Sequence, residues 1–182
     1  AGGITPWGTW LTCEETTSSY GGMTHGWIFE VPGFGNAKPL PIKAMGRRAH
    51  EATATDPVTG YVYITEDAGT SSGFYRYRPF TYGNLLGGGV LEMLKVKNMH
   101  QTDLRASYPD GTSWDVEWVT IDQPESINPR NYTQGFDKGA ARFARLEGAW
   151  YDTGLVYFTS TSGGSISGGQ VFHFDPRREK LT

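Results

Sequence analysis

Three stretches of the chain repeat one plan, and this constrains the fold more than any other feature. Trp10-Leu11-Thr12-Cys13-Glu14, Tyr63-Ile64-Thr65-Glu66-Asp67 and Tyr157-Phe158-Thr159-Ser160-Thr161 each run aromatic, apolar, threonine, polar. Aligned on the threonine, Cys13, Glu66 and Ser160 are equivalent. A small-residue turn follows each stretch, and then a second aromatic strand that starts at glycine: Gly26 to Pro32, Gly73 to Pro79, and Gly169 to Pro176. Proline cannot donate to a β ladder, so it marks a strand end in all three. The threonine-to-glycine separations are 14, 8 and 10 residues, so the hairpin loops differ in length.

A further element precedes the second and third stretches. Arg47-Arg48-Ala49-His50-Glu51-Ala52 lies ahead of Thr65, and Arg145-Leu146-Glu147-Gly148-Ala149-Trp150 lies ahead of Thr159. Between it and the next strand stand the turn sequences Asp56-Pro57-Val58-Thr59-Gly60 and Asp152-Thr153-Gly154. A unit therefore reads as a strand with Glu, a turn, a strand with Thr, a loop, and a strand with Pro.

The threonines are 53 and then 94 residues apart. The first spacing fits one propeller blade of about 40 to 50 residues. The second fits a long blade or two unequal ones, with Leu91 to Ile121 supplying extra strands. Asn128 to Lys138 reads as a surface loop. The expected architecture is all-β, a single partial β-propeller domain over residues 1–182 with about three blades of antiparallel strands. Propellers usually have about four to eight blades, so the chain is expected to be a piece of a larger protein. Its open edges would be covered by the rest of the ring or by another chain. Ala1 in place of an initiator Met agrees with that expectation.

Composition closes off other classes. With 25 Gly and 10 Pro disorder has to be considered, but 14% aromatic residues argue for packed β structure. No apolar run approaches the roughly 18 residues needed to cross a membrane. A net charge of −3 offers no electrostatic footprint for nucleic acid. One cysteine excludes an internal disulfide framework.

If the repeat is real, Glu51 and Glu147 are equivalent, as are Cys13 and Glu66, and such positions converge around one channel. Converging carboxylates repel one another and call for cations. Carboxylates suit Ca²⁺, and a thiolate with carboxylates suits a transition metal. Taken singly, each acid has a blander reading as a solvated side chain, Asp67 as a turn residue and Cys13 as a buried structural thiol. Arg145 stands two residues before Glu147, on the same face of a strand. It would offer a fork for phosphate, or simply pair with Glu147. The four histidines show no ligand spacing. Gly163 to Gly169 lacks the ending of a phosphate loop and reads as a hairpin loop. The tryptophans read as packing between blades or as platforms for sugars.

The run Thr5-Pro6-Trp7-Gly8-Thr9-Trp10-Leu11-Thr12-Cys13-Glu14-Glu15 resembles the signature of the PhoX alkaline phosphatases. His50-Glu51-Ala52, Tyr63 to Asp67, Arg145-Leu146-Glu147-Gly148, Thr159 to Gly164 and Gly169 to Pro176 follow in the same order. The resemblance implies an exported bacterial propeller enzyme, periplasmic or extracellular, that hydrolyses phosphomonoesters with Fe³⁺ and Ca²⁺. It implies Cys13 as an iron ligand, Glu51 and Glu147 as metal ligands, one or both of Glu66 and Asp67 as ligands, and Arg145 as the phosphate-binding residue. Family members are expected to be several times longer than this chain. Two other classes stay open at this stage: a propeller that binds a partner without catalysis, and a sugar-binding β domain built on the tryptophans.

Overall fold

The computed structural model describes residues 1–182. The strands are β1 (Gly2–Ile4), β2 (Thr9–Cys13), β3 (Ser19–Tyr20), β4 (Met23–Thr24), β5 (Ile28–Pro32), β6 (His50–Thr55), β7 (Val62–Glu66), β8 (Phe74–Pro79), β9 (Gly89–Val96), β10 (Trp114–Thr120), β11 (Leu146–Asp152), β12 (Leu155–Ser160), β13 (Gln170–Asp175) and β14 (Lys180–Leu181). One helix, α1 (Asn131–Asp137), interrupts them. No helix is long and apolar enough to cross a membrane.

The repeat becomes three antiparallel units. The first is β1-β2-β5, the second begins β6-β7-β8-β9, and the third is β11-β12-β13-β14. Each threonine motif forms a central strand, at β2, β7 and β12. The strand that ends at proline lies beside it, at β5, β8 and β13. The glutamate-bearing strands β6 and β11 are first in their units and pack against each other. The turns behave as their residues require. Asp152 pairs with Leu155 across a two-residue turn in which Thr153 and Gly154 both have positive φ, at 48° and 89°. That is the turn whose twist matches the strands on either side. Asp56 closes the corresponding turn in the second unit by accepting from Val58 N (2.9 Å) and Thr59 Oγ1 (2.7 Å).

Two features of the fold were not legible in the sequence. The second and third units are not separate sheets: β10 pairs with both β9 and β14, giving one nine-stranded sheet from β6 round to β11. The segment expected as a surface loop, Asn128 to Lys138, contains α1, with Asn131, Tyr132 and Gly135 buried. Pro129 stands just ahead of the helix, where its missing N–H costs nothing. Tyr132 stacks on Phe136 at 5.3 Å, and Gly135 lies so close to Met93 that a Cβ would have no room.

Two cores hold the units together. One joins the first and second units through Leu11, Ile28, Ile64, Tyr75 and Met93, with Tyr132 of α1 against it. The other fills the space between the second and third units. Its centre is aromatic: Phe74 stacks on Phe158 at 4.1 Å, and Phe158 on Phe172 at 5.4 Å. Strand β1 reaches β6 because Gly3 lets its backbone lie directly on Thr53.

Candidate functional site

Backbone hydrogen bonds at the strand ends draw the predicted residues toward one region. His50 N–H donates to Glu14 O (3.0 Å), which ties the end of β2 to the start of β6 and sets Cys13 near Glu51. Arg145 N–H donates to Gly69 O (2.7 Å), which ties the start of β11 to the turn after β7, where Asp67 lies. Neither link is readable from the strand pattern, because each joins different units.

Arg145 is the centre of the arrangement. Its Nη2 reaches Asp67 Oδ2 (3.0 Å) and Glu147 Oε1 (2.7 Å), and its Nε reaches Asp67 Oδ1 (3.2 Å). Nη1 makes no protein hydrogen bond, and the side chain is exposed. The residue sits at φ 44°, in the left-handed region. A side chain held there carries strain of roughly 1–3 kcal/mol and persists only where its surroundings enforce it. The enforcement here is the pair of backbone bonds from Arg145 N to Gly69 and from Thr161 N to Arg145 O (3.0 Å). Asp67 above all, then Glu147 and Glu51, hold the guanidinium even more firmly charged than usual.

The carboxylates face the same region. Glu51 is pushed above the ordinary carboxylate range, first by burial and then by the charges of Glu15, Glu147 and Asp67. Burial pushes the Cys13 thiol up to about 12, with Glu51 and Glu15 adding to the rise. Glu147 Oε1 also accepts from Thr161 Oγ1 (3.1 Å). Thr161 and Glu15 belong to motifs visible in the sequence, but only the folded chain shows that they join this cluster. No three of the acidic, cysteine and histidine side chains are gathered tightly around one point.

Glu66 stands apart from the group. It is buried, and accepts from Tyr75 Oη (2.7 Å) and Gly73 N (3.0 Å). Burial raises its pKa, while Arg48 and these bonds oppose the rise. Arg48 is itself buried, stacked 3.7 Å over Tyr75 and bonded through Nη1 to Asn131 Oδ1 (2.8 Å). The adjacent pair Glu66-Asp67 is thus split: Glu66 turns inward to this network and Asp67 turns to Arg145. The tryptophans mostly serve packing. Trp118 lies under Arg76 at 4.3 Å, and Trp7 Nε1 donates to Glu30 (2.7 Å). Trp10 and Trp150 are exposed.

The family model for alkaline phosphatase PhoX matches residues 1–182. This chain belongs to the PhoX alkaline phosphatase family. Among solved structures, it is similar to Pseudomonas fluorescens PhoX in complex with vanadate, a transition state analogue. The TM-score is 0.70 and the identity 21%, over 99% of this chain and 46% of that one. That likeness carries the fold: the all-β units described above are arranged as in a β-propeller. The chain spans about half the length of the solved relative, so that relative is about twice as long rather than several-fold longer. No curated protein matches the sequence.

Proposed function

We propose that this chain supplies part of the active site of a metal-dependent phosphomonoesterase, with a small phosphate monoester as substrate. One observation carries the reading. An exposed arginine in strained backbone has its guanidinium held by two carboxylates, with one nitrogen free, beside Glu51 and further acids. The free Nη1 offers a phosphate oxygen a permanently charged donor.

The residues suit iron and calcium. Carboxylate oxygens are the ligands hard cations prefer, and one thiol among them extends the set to a transition metal. Burial first, and then repulsion from Glu15 and Glu147, push Glu51 up, and a bound cation would offset both. In this reading Cys13, Glu51, Asp67 and Glu147 hold the metals. Asp67 is chosen over Glu66 because it lies in the cluster with Arg145 and Glu147, whereas buried Glu66 turns away to Tyr75 and Gly73. Bound metals of this kind neutralise phosphate charge and activate an oxygen nucleophile.

The protein's own contribution is positioning and charge. Asp67 and Glu147 fix the direction of the Arg145 fork, and Thr161 in turn steadies Glu147. Arg145 Nη1 is left to meet a phosphoryl oxygen, and its permanent charge stabilises the charge redistributed over the transferring phosphoryl group. Burial keeps the thiol of Cys13 protonated in the metal-free protein, and a bound cation would favour its thiolate form. An exported location, periplasmic or extracellular, goes with this reading through the family.

The test is hydrolysis of p-nitrophenyl phosphate by the protein that carries this chain. Arg145→Ala should lower kcat/KM by about 100- to 1000-fold, the loss typical of removing one transition-state donor, and chelation should abolish the remainder. An Arg145→Ala variant as active as the parent would overturn the assignment.

A further inference from the structure

We propose that Thr65 is a positioning residue: its hydroxyl pins together the two strand irregularities that carry Glu51 and Glu147. The role rests on the reading above of these glutamates as metal ligands, and concerns what holds them in register.

Both glutamates sit where a ladder breaks. Strand β6 loses register with β7 between His50 and Thr53, so Glu51 falls inside the interruption. Strand β11 loses register with β12 between Leu146 and Ala149, so Glu147 falls inside the second. Bulges of this kind re-aim side chains and recur beside functional sites. They also leave backbone groups without ladder partners. Two interruptions in different units, each able to shift by itself, would leave the Glu51–Glu147 spacing loose.

Thr65 closes both at once. Its Oγ1 accepts from Ala52 N (2.9 Å), the residue after Glu51. The same hydroxyl donates to the backbone carbonyl of Glu147 (2.6 Å), 82 residues away. The Ala52 carbonyl lies farther off, at 3.3 Å, so the proton goes to Glu147. Thr65 is fully buried, and one hydroxyl has one proton to give, so the bridge is fixed in direction. The equivalent threonines of the other units, Thr12 and Thr159, make no such side-chain bridge. The threonine repeats for its β-strand fit, and only the copy between the two glutamates spans them.

The experiment measures Ca²⁺ binding by calorimetry, together with amide exchange at Ala52 in the metal-free protein. Thr65→Val keeps the shape and removes the bridge. It should weaken Ca²⁺ binding by about 10- to 100-fold, the usual loss for a group that supports a metal ligand. Thr65→Ser should retain parental affinity, and so should Thr159→Val. Equal losses in Thr65→Val and Thr159→Val would mean general loosening and would overturn the proposal, as would parental affinity in Thr65→Val. The exchange arm does not depend on metal or on the variant's folding. The wild-type Ala52 amide should be protected, and protection should survive in Thr65→Ser. Rapid exchange at Ala52 in the wild type would overturn the bridge. If the wild type binds no Ca²⁺, the metal reading fails, and the Ala52 result still decides for or against the bridge.

Discussion

Phe158→Ala should be among the most damaging single changes in this chain. Phe158 is 1% exposed and lies between Phe74 at 4.1 Å, Phe172 at 5.4 Å and Phe143 at 5.8 Å. Truncating a buried Phe to Ala costs about 3–5 kcal/mol, combining lost transfer energy with the cavity left behind. Loss of the ring–ring geometry adds about 0.5–1.5 kcal/mol for a well-placed pair. The expectation is therefore about 3.5–6.5 kcal/mol, against a total stability on the order of 5–15 kcal/mol. The companion change is Val171→Ala, on the neighbouring strand but 73% exposed. It should stay within about 0.5 kcal/mol. Urea unfolding followed by tryptophan fluorescence reads both, with unchanged slope licensing the comparison. The reasoning is refuted if Phe158→Ala costs under about 2 kcal/mol, or if the two variants cost the same. The stakes extend to the site, because this aromatic core sets the second unit against the third, and with them Glu51 against Glu147.

Two further outcomes follow from the charged groups. Asp103 accepts from Arg105 Nε (2.8 Å) and Nη2 (2.8 Å) and from Arg142 Nη2 (2.8 Å), and these bonds, led by Arg105, hold its carboxyl far below the ordinary range. A lowered carboxylate stabilises the fold above its unfolded pKa, and that stabilisation is lost as pH falls through the carboxylate range toward the folded value. Asp103→Asn should therefore flatten the acid side of the stability profile in chemical denaturation, and an unchanged profile would refute the pairing. The thiol of Cys13, pushed up to about 12 by burial, should react with iodoacetamide at pH 8 far more slowly in the folded metal-free protein than in urea. Mass spectrometry reads the difference, and equal rates would show an exposed, ordinary thiol.

How much was legible varies with the range of the forces involved. Hairpins are local, so the threonine motifs, the turns at Asp56 to Gly60 and Asp152 to Gly154, and the proline stops all appear in the sequence and stand where expected. Strand β1 is not legible in the sequence because Gly2-Gly3 has low strand propensity; it forms because Gly3 fits against Thr53. Helix α1 is hidden for the same kind of reason: it is short, contains Gly135, and owes its place to the close approach of Gly135 to Met93. At the site, the residue types were readable and their partners were not. Glu66 and Asp67 are neighbours that alternate faces, and only the fold shows that one meets Tyr75 and the other Arg145. The junction formed by β10, which fuses two units into one sheet, depends on pairing far apart in sequence, which no local pattern encodes.

In the proposed site, strand ends from separate units converge to hold metal ions beside Arg145. Elemental analysis of the purified protein that carries this chain tests it most directly, with Glu51→Gln and Glu147→Gln variants of verified fold alongside. Iron and calcium near integral ratios are expected in the parent, with loss of metal in both variants. A parent without iron or calcium, or variants that retain the full complement, would contradict it.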